Sequence, residues 1–292
     1  MEYKKLSSGF EIPTLGLGTW LFGWRFEPEI YAEKDKRTSV NEFEKIIQYA
    51  ISKWMTLIDT AELYAGWYTE EIIGKSIRNI PREKLFITSK IMVDKSEPER
   101  ISMAIEGSLK RLWIDYLDLY LIHGRNKNFS LEQQMKKMND IVRQNKTRYI
   151  GVSNFNTSSL KEARSYSEEP IVLNQVHYNF IFREPEADGL LSYCQNNDII
   201  LQAWRPVQYG ELAKGNDFLK PFCKKYKKTP AQIAINWLIS QKNVTSLFKT
   251  ISREHLDENL DSIGWEMTAE DIEFIRKNFP NQQYLSNAVK LD

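Results

Sequence analysis

Four polar residues, Asp59, Tyr64, Lys90 and His123, stand at or just beyond the ends of short apolar runs, and their types can move protons. "LIDTAELY", residues 57–64, places Asp59 straight after an apolar stretch and Tyr64 five positions further on. "LFITSK" ends in Lys90 and "LDLYLIH" ends in His123. A carboxylate at the end of a buried strand costs free energy unless a partner compensates it. Lys90, on the next apolar run, compensates Asp59 if it reaches it. A free tyrosine, with a pKa of about 10, is a reluctant acid–base group near neutrality. An adjacent ammonium favours the phenolate and lowers that pKa. Asp59, Lys90 and Tyr64 therefore read as one proton-transfer group, with His123 beside it as hydrogen-bond donor or proton relay. Taken singly, each has an ordinary reading: strand-end cap, loop aromatic, solvated strand terminus, core histidine.

Such a group needs a frame that brings distant segments together. Apolar, β-rich runs recur at 15–20, 56–59, 85–90, 117–123, 148–153, 171–176, 199–204 and 244–248. Between them lie segments such as "SVNEFEKIIQYAISK", "PERISMAIEGSLKRL" and "TPAQIAINWLISQ", with apolar residues at three- and four-residue spacing. Thr38 or Ser39, Pro98 and the pair Thr229-Pro230 are helix-start signals. Near-continuous apolar strands alternating with helices imply a parallel sheet covered on both faces. Eight strand–helix alternations within 292 residues point to an α/β fold, a closed (β/α)8 TIM barrel, with an open doubly wound sheet as the alternative. Residues 1–13, with Ser7-Ser8-Gly9 at their centre, read as an N-terminal β-hairpin able to close one end. No linker or shift in composition divides the chain, so residues 1–292 are expected to form a single domain. Functional residues of a parallel barrel sit at the C-terminal ends of its strands. Here those ends carry Trp20, Asp59, Lys90, His123, Ser153, Asn154, Gln175 and Trp204.

Bulk properties narrow the function classes. Lys and Arg (40) nearly cancel Asp and Glu (39), which gives no sign of nucleic-acid or anionic-membrane partners. No apolar run approaches the roughly 20 residues that span a bilayer. "MEYKKLSSGFEIP" lacks the apolar core of a secretory signal, and the two cysteines, Cys194 and Cys223, fit no paired motif. A cytoplasmic location is the simplest expectation. The three histidines, His123, His177 and His255, lack zinc-ligand spacing, so no metal is expected. "GLGTWLFG" contains G-x-G without the third glycine and fails as a dinucleotide fingerprint. Its glycines suggest backbone packing instead.

With those segments in order, the sequence resembles the aldo-keto reductases almost end to end. "GFEIPTLGLGTW", "DTAELY", "LFITSK", "SLKRLWIDYLDLYLIH", "IGVSNF", "NQVHYN" and "TPAQIAINW" match the family's segments in register. The resemblance implies a barrel that binds a nicotinamide cofactor without a Rossmann domain and reduces carbonyls, or runs the reverse alcohol oxidation. It assigns Asp59, Tyr64, Lys90 and His123 as the catalytic tetrad, with Tyr64 the general acid/base. Growing charge on the carbonyl oxygen requires such a donor. It also implies Thr19, Trp20, Asp59, Ser153, Asn154, Gln175 and Trp204 as cofactor contacts, the amide side chains suiting a carboxamide. Trp204 stands where the family has a tyrosine stacking on the nicotinamide. It is followed by Arg205, Pro206 and Val207, where Arg205 is unusual and could touch phosphate or pair with an acid.

At the expected 2′-phosphate site, "LFKTISREHLDEN" supplies Lys249, Thr250, His255, Glu258 and Asn259. His255 replaces an arginine, and neutral imidazole lacks a fixed charge and a bidentate fork, with Arg253 a partial substitute. NADP(H) is the expected cofactor, with weakened discrimination against NAD(H). The substrate, a small-molecule carbonyl or sugar, is expected to meet Trp20, Trp24, Tyr64 and His123, with Phe22 and Trp67 nearby and Gly124 opening one side. His177 is assigned to local structure. Two further readings remain: a nicotinamide-binding regulatory or redox-sensing barrel with little turnover, and a barrel glycosidase using Asp59 and Glu62. The sequence carries no feature that specifies an oligomeric state.

Overall fold

A computed structural model of the chain describes residues 1–23, 40–92 and 97–292. Its strands are β1 (Tyr3–Lys5), β2 (Glu11–Pro13), β3 (Leu15–Gly18), β4 (Leu57–Asp59), β5 (Phe86–Ile91), β6 (Leu117–Ile122), β7 (Thr147–Ser153), β8 (Ile171–His177), β9 (Ile200–Trp204) and β10 (Val244–Phe248). Strands β3 to β10 close into an eight-stranded parallel barrel in sequence order, β10 pairing with β3 and with β9. The open-sheet alternative is thereby overturned.

Side chains alternate across each strand, which sorts the apolar residues into two cores. Ile58, Ile87, Tyr120 and Ile122 point outward into the large cluster shared with the helices. Leu57, Leu119, Leu121, Leu173 and Ile200 point inward. Continuing the inward series by twos leads from Leu57 to Asp59, from Leu121 to His123, from Leu173 to Gln175 and His177, and from Ile200 to Trp204. The alternation that fills the barrel therefore also aims these polar side chains at its open end.

The helices outside begin where the sequence signals them. Pro98 opens the helix Pro98–Leu112. Thr229 caps Pro230–Ile239: its hydroxyl accepts from the Gln232 amide, while the Gln232 side chain accepts from the Thr229 amide. This reciprocal pair satisfies two backbone donors at once. The expected cap at Thr38 or Ser39 lies outside the described residues. Among the described residues no helix is long and apolar enough to cross a membrane.

β1 and β2 form the antiparallel hairpin, turned through Ser7–Gly9, where Gly9 has a φ of 88° that a side chain would strain. Asp198 fixes that turn by accepting from the Ser7 and Ser8 amides at 2.8 and 2.9 Å. Leu6, Phe10 and Ile12 project from the hairpin into the inward-facing cluster and plug the lower end of the barrel. Gly16, in the failed dinucleotide fingerprint, has a packing role: a β-carbon there would lie 2.5 Å from Leu57 Cγ.

Phe10 is fully buried and meets the rings of Phe86 and Tyr149 edge-on. Phe10→Ala should lower stability to chemical denaturation by about 3–5 kcal/mol, as the barrel cannot collapse onto the missing ring. A loss below about 1 kcal/mol would show that the hairpin is not a structural plug.

Candidate active site

Lys90 organises the open end. It is fully buried, and its ammonium donates to Asp59 Oδ1 at 2.7 Å, the Thr60 carbonyl at 2.7 Å and Tyr64 Oη at 3.2 Å. An ammonium has three donors and no acceptor, so these contacts satisfy it completely. The adjacency of β4 and β5, with Asp59 paired to Thr88, sets the approach. The other carboxylate oxygen of Asp59 accepts from Gln175 Nε2 at 2.8 Å, and the same amide reaches Gln202 Oε1 at 2.8 Å. Thr19, fully buried, donates its hydroxyl and amide to the Asp59 carbonyl.

Because Tyr64 Oη accepts from Lys90, its own O–H proton is directed elsewhere. Burial pushes this phenol above its ordinary range; the Lys90 charge opposes that and Asp59 adds to it. The net direction is upward, opposite to the lowering expected from Lys90 alone, because desolvation outweighs one partly neutralised cation. Lys90 itself is penalised by burial, but Asp59 and Tyr64 overcompensate and hold it protonated. The His123 ring lies edge-on to Tyr64 with centroids 5.9 Å apart. Burial and the Lys90 charge push His123 down to about 3, so it is a neutral imidazole at physiological pH.

The turn after Tyr64 is unusual. Ala65, Gly66 and Trp67 have φ values of 49°, 58° and 78°, two of them without glycine's freedom. Asn154 is also left-handed at 62°. Its Nδ2 donates to the His123 carbonyl and to Ser153 Oγ at 3.1 and 3.0 Å, while its Oδ1 is buried with no partner among the described residues. Ser153 Oγ donates to the Gln175 carbonyl. The structure thus gathers Thr19, Asp59, Tyr64, Lys90, His123, Ser153, Asn154 and Gln175 on adjoining strand ends.

His177, assigned from sequence to local structure, supports the end of β9. Its ring stacks on Trp204 with centroids 4.3 Å apart and planes 7° from parallel, and Phe182 covers its other side at 4.5 Å. Ser286 and Gln208 hold its two nitrogens. Burial is the main cause pushing it down to about 4, which keeps it neutral.

Arg205 has no carboxylate partner among the described residues. Its guanidinium lies 5.3, 5.0 and 4.2 Å from the ring centroids of Trp20, Trp204 and Tyr209. Pro206 is buried, and the Val207 carbonyl ties the following turn through the Gly210 and Leu212 amides. Lys249 is half-buried beyond β10. Thr250 is buried, its hydroxyl accepting from the Ser252 amide at 3.0 Å. Ser252 caps the helix Arg253–Leu260, on which His255 is exposed, Glu258 half-buried and Asn259 buried. Arg253 lies over the Tyr49 ring. Phe22, expected in a pocket wall, is fully buried and stacked on Phe43, and so belongs to the outer core. Trp24 lies outside the described residues. Trp67 is 44% exposed at the mouth.

Breaking the Lys90 contact tests this geometry. Lys90→Met leaves a buried, uncompensated Asp59 and should cost about 3–5 kcal/mol in urea unfolding. Adding Asp59→Asn should recover part of the loss. Additive losses would show that the pair is not coupled.

Comparisons with known proteins identify the family and the fold. A family model described as "Aldo/keto reductase family" matches residues 14–278. The glyoxal reductase of Bacillus subtilis (strain 168) is 33% identical over 273 residues, covering 93% of this chain and 90% of that protein. The crystal structure of a thermostable aldo-keto reductase, Tm1743, with the inhibitor epalrestat is 40% identical with a TM-score of 0.87, covering 95% of this chain and 99% of that one. An aldo-keto reductase from Klebsiella pneumoniae in complex with NADPH is 27% identical with a TM-score of 0.82, covering 100% of this chain and 99% of that one.

Proposed function

We propose, from the premise that this chain belongs to the aldo/keto reductase family, that it acts as one barrel domain reducing small aldehydes and ketones with a nicotinamide cofactor, Tyr64 serving as the acid. The observation that carries the reading is the buried Lys90 ammonium held against both Asp59 and Tyr64. The glyoxal reductase relative supports a compact, electron-poor carbonyl as substrate. A glycosidase reading needs Asp59 as a free acid or nucleophile, whereas both of its oxygens are engaged internally.

The residues present suit a nicotinamide dinucleotide. The buried Oδ1 of Asn154, without a partner among the described residues, offers an acceptor for a carboxamide N–H, and Trp204, backed by His177, offers a rigid ring for the nicotinamide. Ser153 and Gln175 border the same place. Lys249 and Thr250 would hold a 2′-phosphate with the amides of the helix after Ser252. NADP(H) is the proposed cofactor and NAD(H) a tolerated one, as His255 supplies no fixed positive charge; solved relatives with NADPH support the first part.

When bound, the reduced nicotinamide supplies the hydride. Tyr64 gives its proton to the carbonyl oxygen, and Lys90 stabilises the phenolate left behind. Asp59 keeps Lys90 charged. His123, neutral, donates a hydrogen bond to the same oxygen, and its low pKa makes it a donor and not an imidazolium relay.

Tyr64→Phe should cut turnover of an aromatic aldehyde by roughly 10²–10⁴-fold while leaving cofactor Kd unchanged. Turnover within about twofold of wild type would remove the acid assignment. The pH dependence follows from the same groups. The protonated phenol is the active form and its pKa is raised, so the reduction rate should stay level through neutrality and decline only above the free-tyrosine value. An inflection near 6.5 in the single-turnover rate, lost in His123→Asn, would instead mark His123 as the proton source.

A further inference from the structure

Resting on the cofactor reading above, we infer that Arg205 grips the diphosphate of the dinucleotide, placing the main anionic anchor on a group common to NADPH and NADH. The barrel order carries this argument. β9, β10 and β3 are consecutive neighbours. Trp204 ends β9, Lys249 and Thr250 follow the end of β10, and Trp20 lies just beyond β3. The guanidinium of Arg205 lies against both Trp204 and Trp20, so it joins the ends of β9 and β3, the two strands that flank β10. A dinucleotide with its nicotinamide beside Trp204 and its 2′-phosphate beside Lys249 and Thr250 must carry its diphosphate through that interval.

The chemistry of Arg205 agrees with its place. Among the described residues its side chain meets three aromatic rings and no hydrogen-bond acceptor. Ring faces hold a cation but leave its N–H groups unsatisfied, and the planar fork suits two oxyanion oxygens. The backbone is fixed as well: Arg205 is left-handed, with a φ of 58°, and its carbonyl accepts from Asn179 Nδ2 at 2.9 Å and the Gln208 amide at 3.1 Å. The side chain therefore leaves a locked turn.

The 2′-phosphate end is correspondingly weak. His255 is exposed, Arg253 is engaged on Tyr49, and the Thr250 hydroxyl already accepts from Ser252. A cation at the diphosphate offsets this loss without distinguishing the two cofactors.

Calorimetric titration of NADPH and NADH into wild type, Arg205→Met, Arg205→Lys and Lys249→Met tests the assignment, with steady-state rates as a second readout. Arg205→Met should raise both Kd values together by roughly tenfold to a hundredfold, as for a lost charged hydrogen bond, leaving their ratio unchanged. Arg205→Lys should restore part of the affinity, since it returns the charge but not the fork. Lys249→Met should weaken NADPH alone. A changed NADPH/NADH ratio in Arg205→Met would overturn the assignment in favour of the 2′-phosphate. Unchanged Kd values with a raised KM for 4-carboxybenzaldehyde, but not for 4-nitrobenzaldehyde, would overturn it in favour of a substrate anchor. Failure of wild type to bind either dinucleotide would overturn the functional reading itself, and this inference with it.

Discussion

A fully buried ammonium is the constraint around which the open end of this barrel is built. Lys90 has no access to water, so every hydrogen it carries must find an oxygen supplied by the protein. Asp59, the Thr60 carbonyl and Tyr64 provide those oxygens from a strand end and the segment that follows it. The requirement then spreads outward. Asp59, now buried too, draws Gln175 from across the barrel, and Gln175 draws Gln202 from the next strand. One charge thus orders side chains on β4, β5, β8 and β9.

Much of this was legible in the sequence because the functional residues of a parallel barrel stand at the C-terminal ends of its strands. Asp59, Lys90 and His123 end apolar runs, so their common end of the barrel could be read from the run boundaries. Direction was harder than position. Counting neighbours finds Lys90 beside Tyr64 and expects a more acidic phenol, but the cost of burying a phenolate depends on the whole surrounding volume. Phe22 shows a different limit: an aromatic residue just past a strand looks alike in sequence whether it faces a cleft or, as here, the Phe43 ring. Arg205 could be seen as a departure, yet its setting among Trp20, Trp204 and Tyr209 joins residues from two segments nearly 190 positions apart, which no local pattern encodes. His177, expected to serve local structure, does so by backing the Trp204 ring between Ser286 and Gln208.

Left-handed backbone also occurs at the open end. Ala65 and Trp67 follow Tyr64, Asn154 follows β7, and Arg205 follows β9, all with positive φ and none a glycine. Such conformations persist only where surrounding contacts over-determine them. Asn154 makes those contacts visible: its side chain fastens the His123 carbonyl, and its own carbonyl accepts from the Asp292 amide. The final segment thereby braces the mouth, with Ser286 on His177 as a second fastening.

The hairpin at the opposite end gives the barrel a sealed floor. Leu6, Phe10 and Ile12 pack from below onto Leu57, Leu119, Leu121, Leu173 and Ile200, so the interior is a filled core and not a tunnel. With the bore filled and its floor covered, Tyr64, Lys90 and His123 can be approached only from the strand-end side, so everything that reaches them arrives through the same loops.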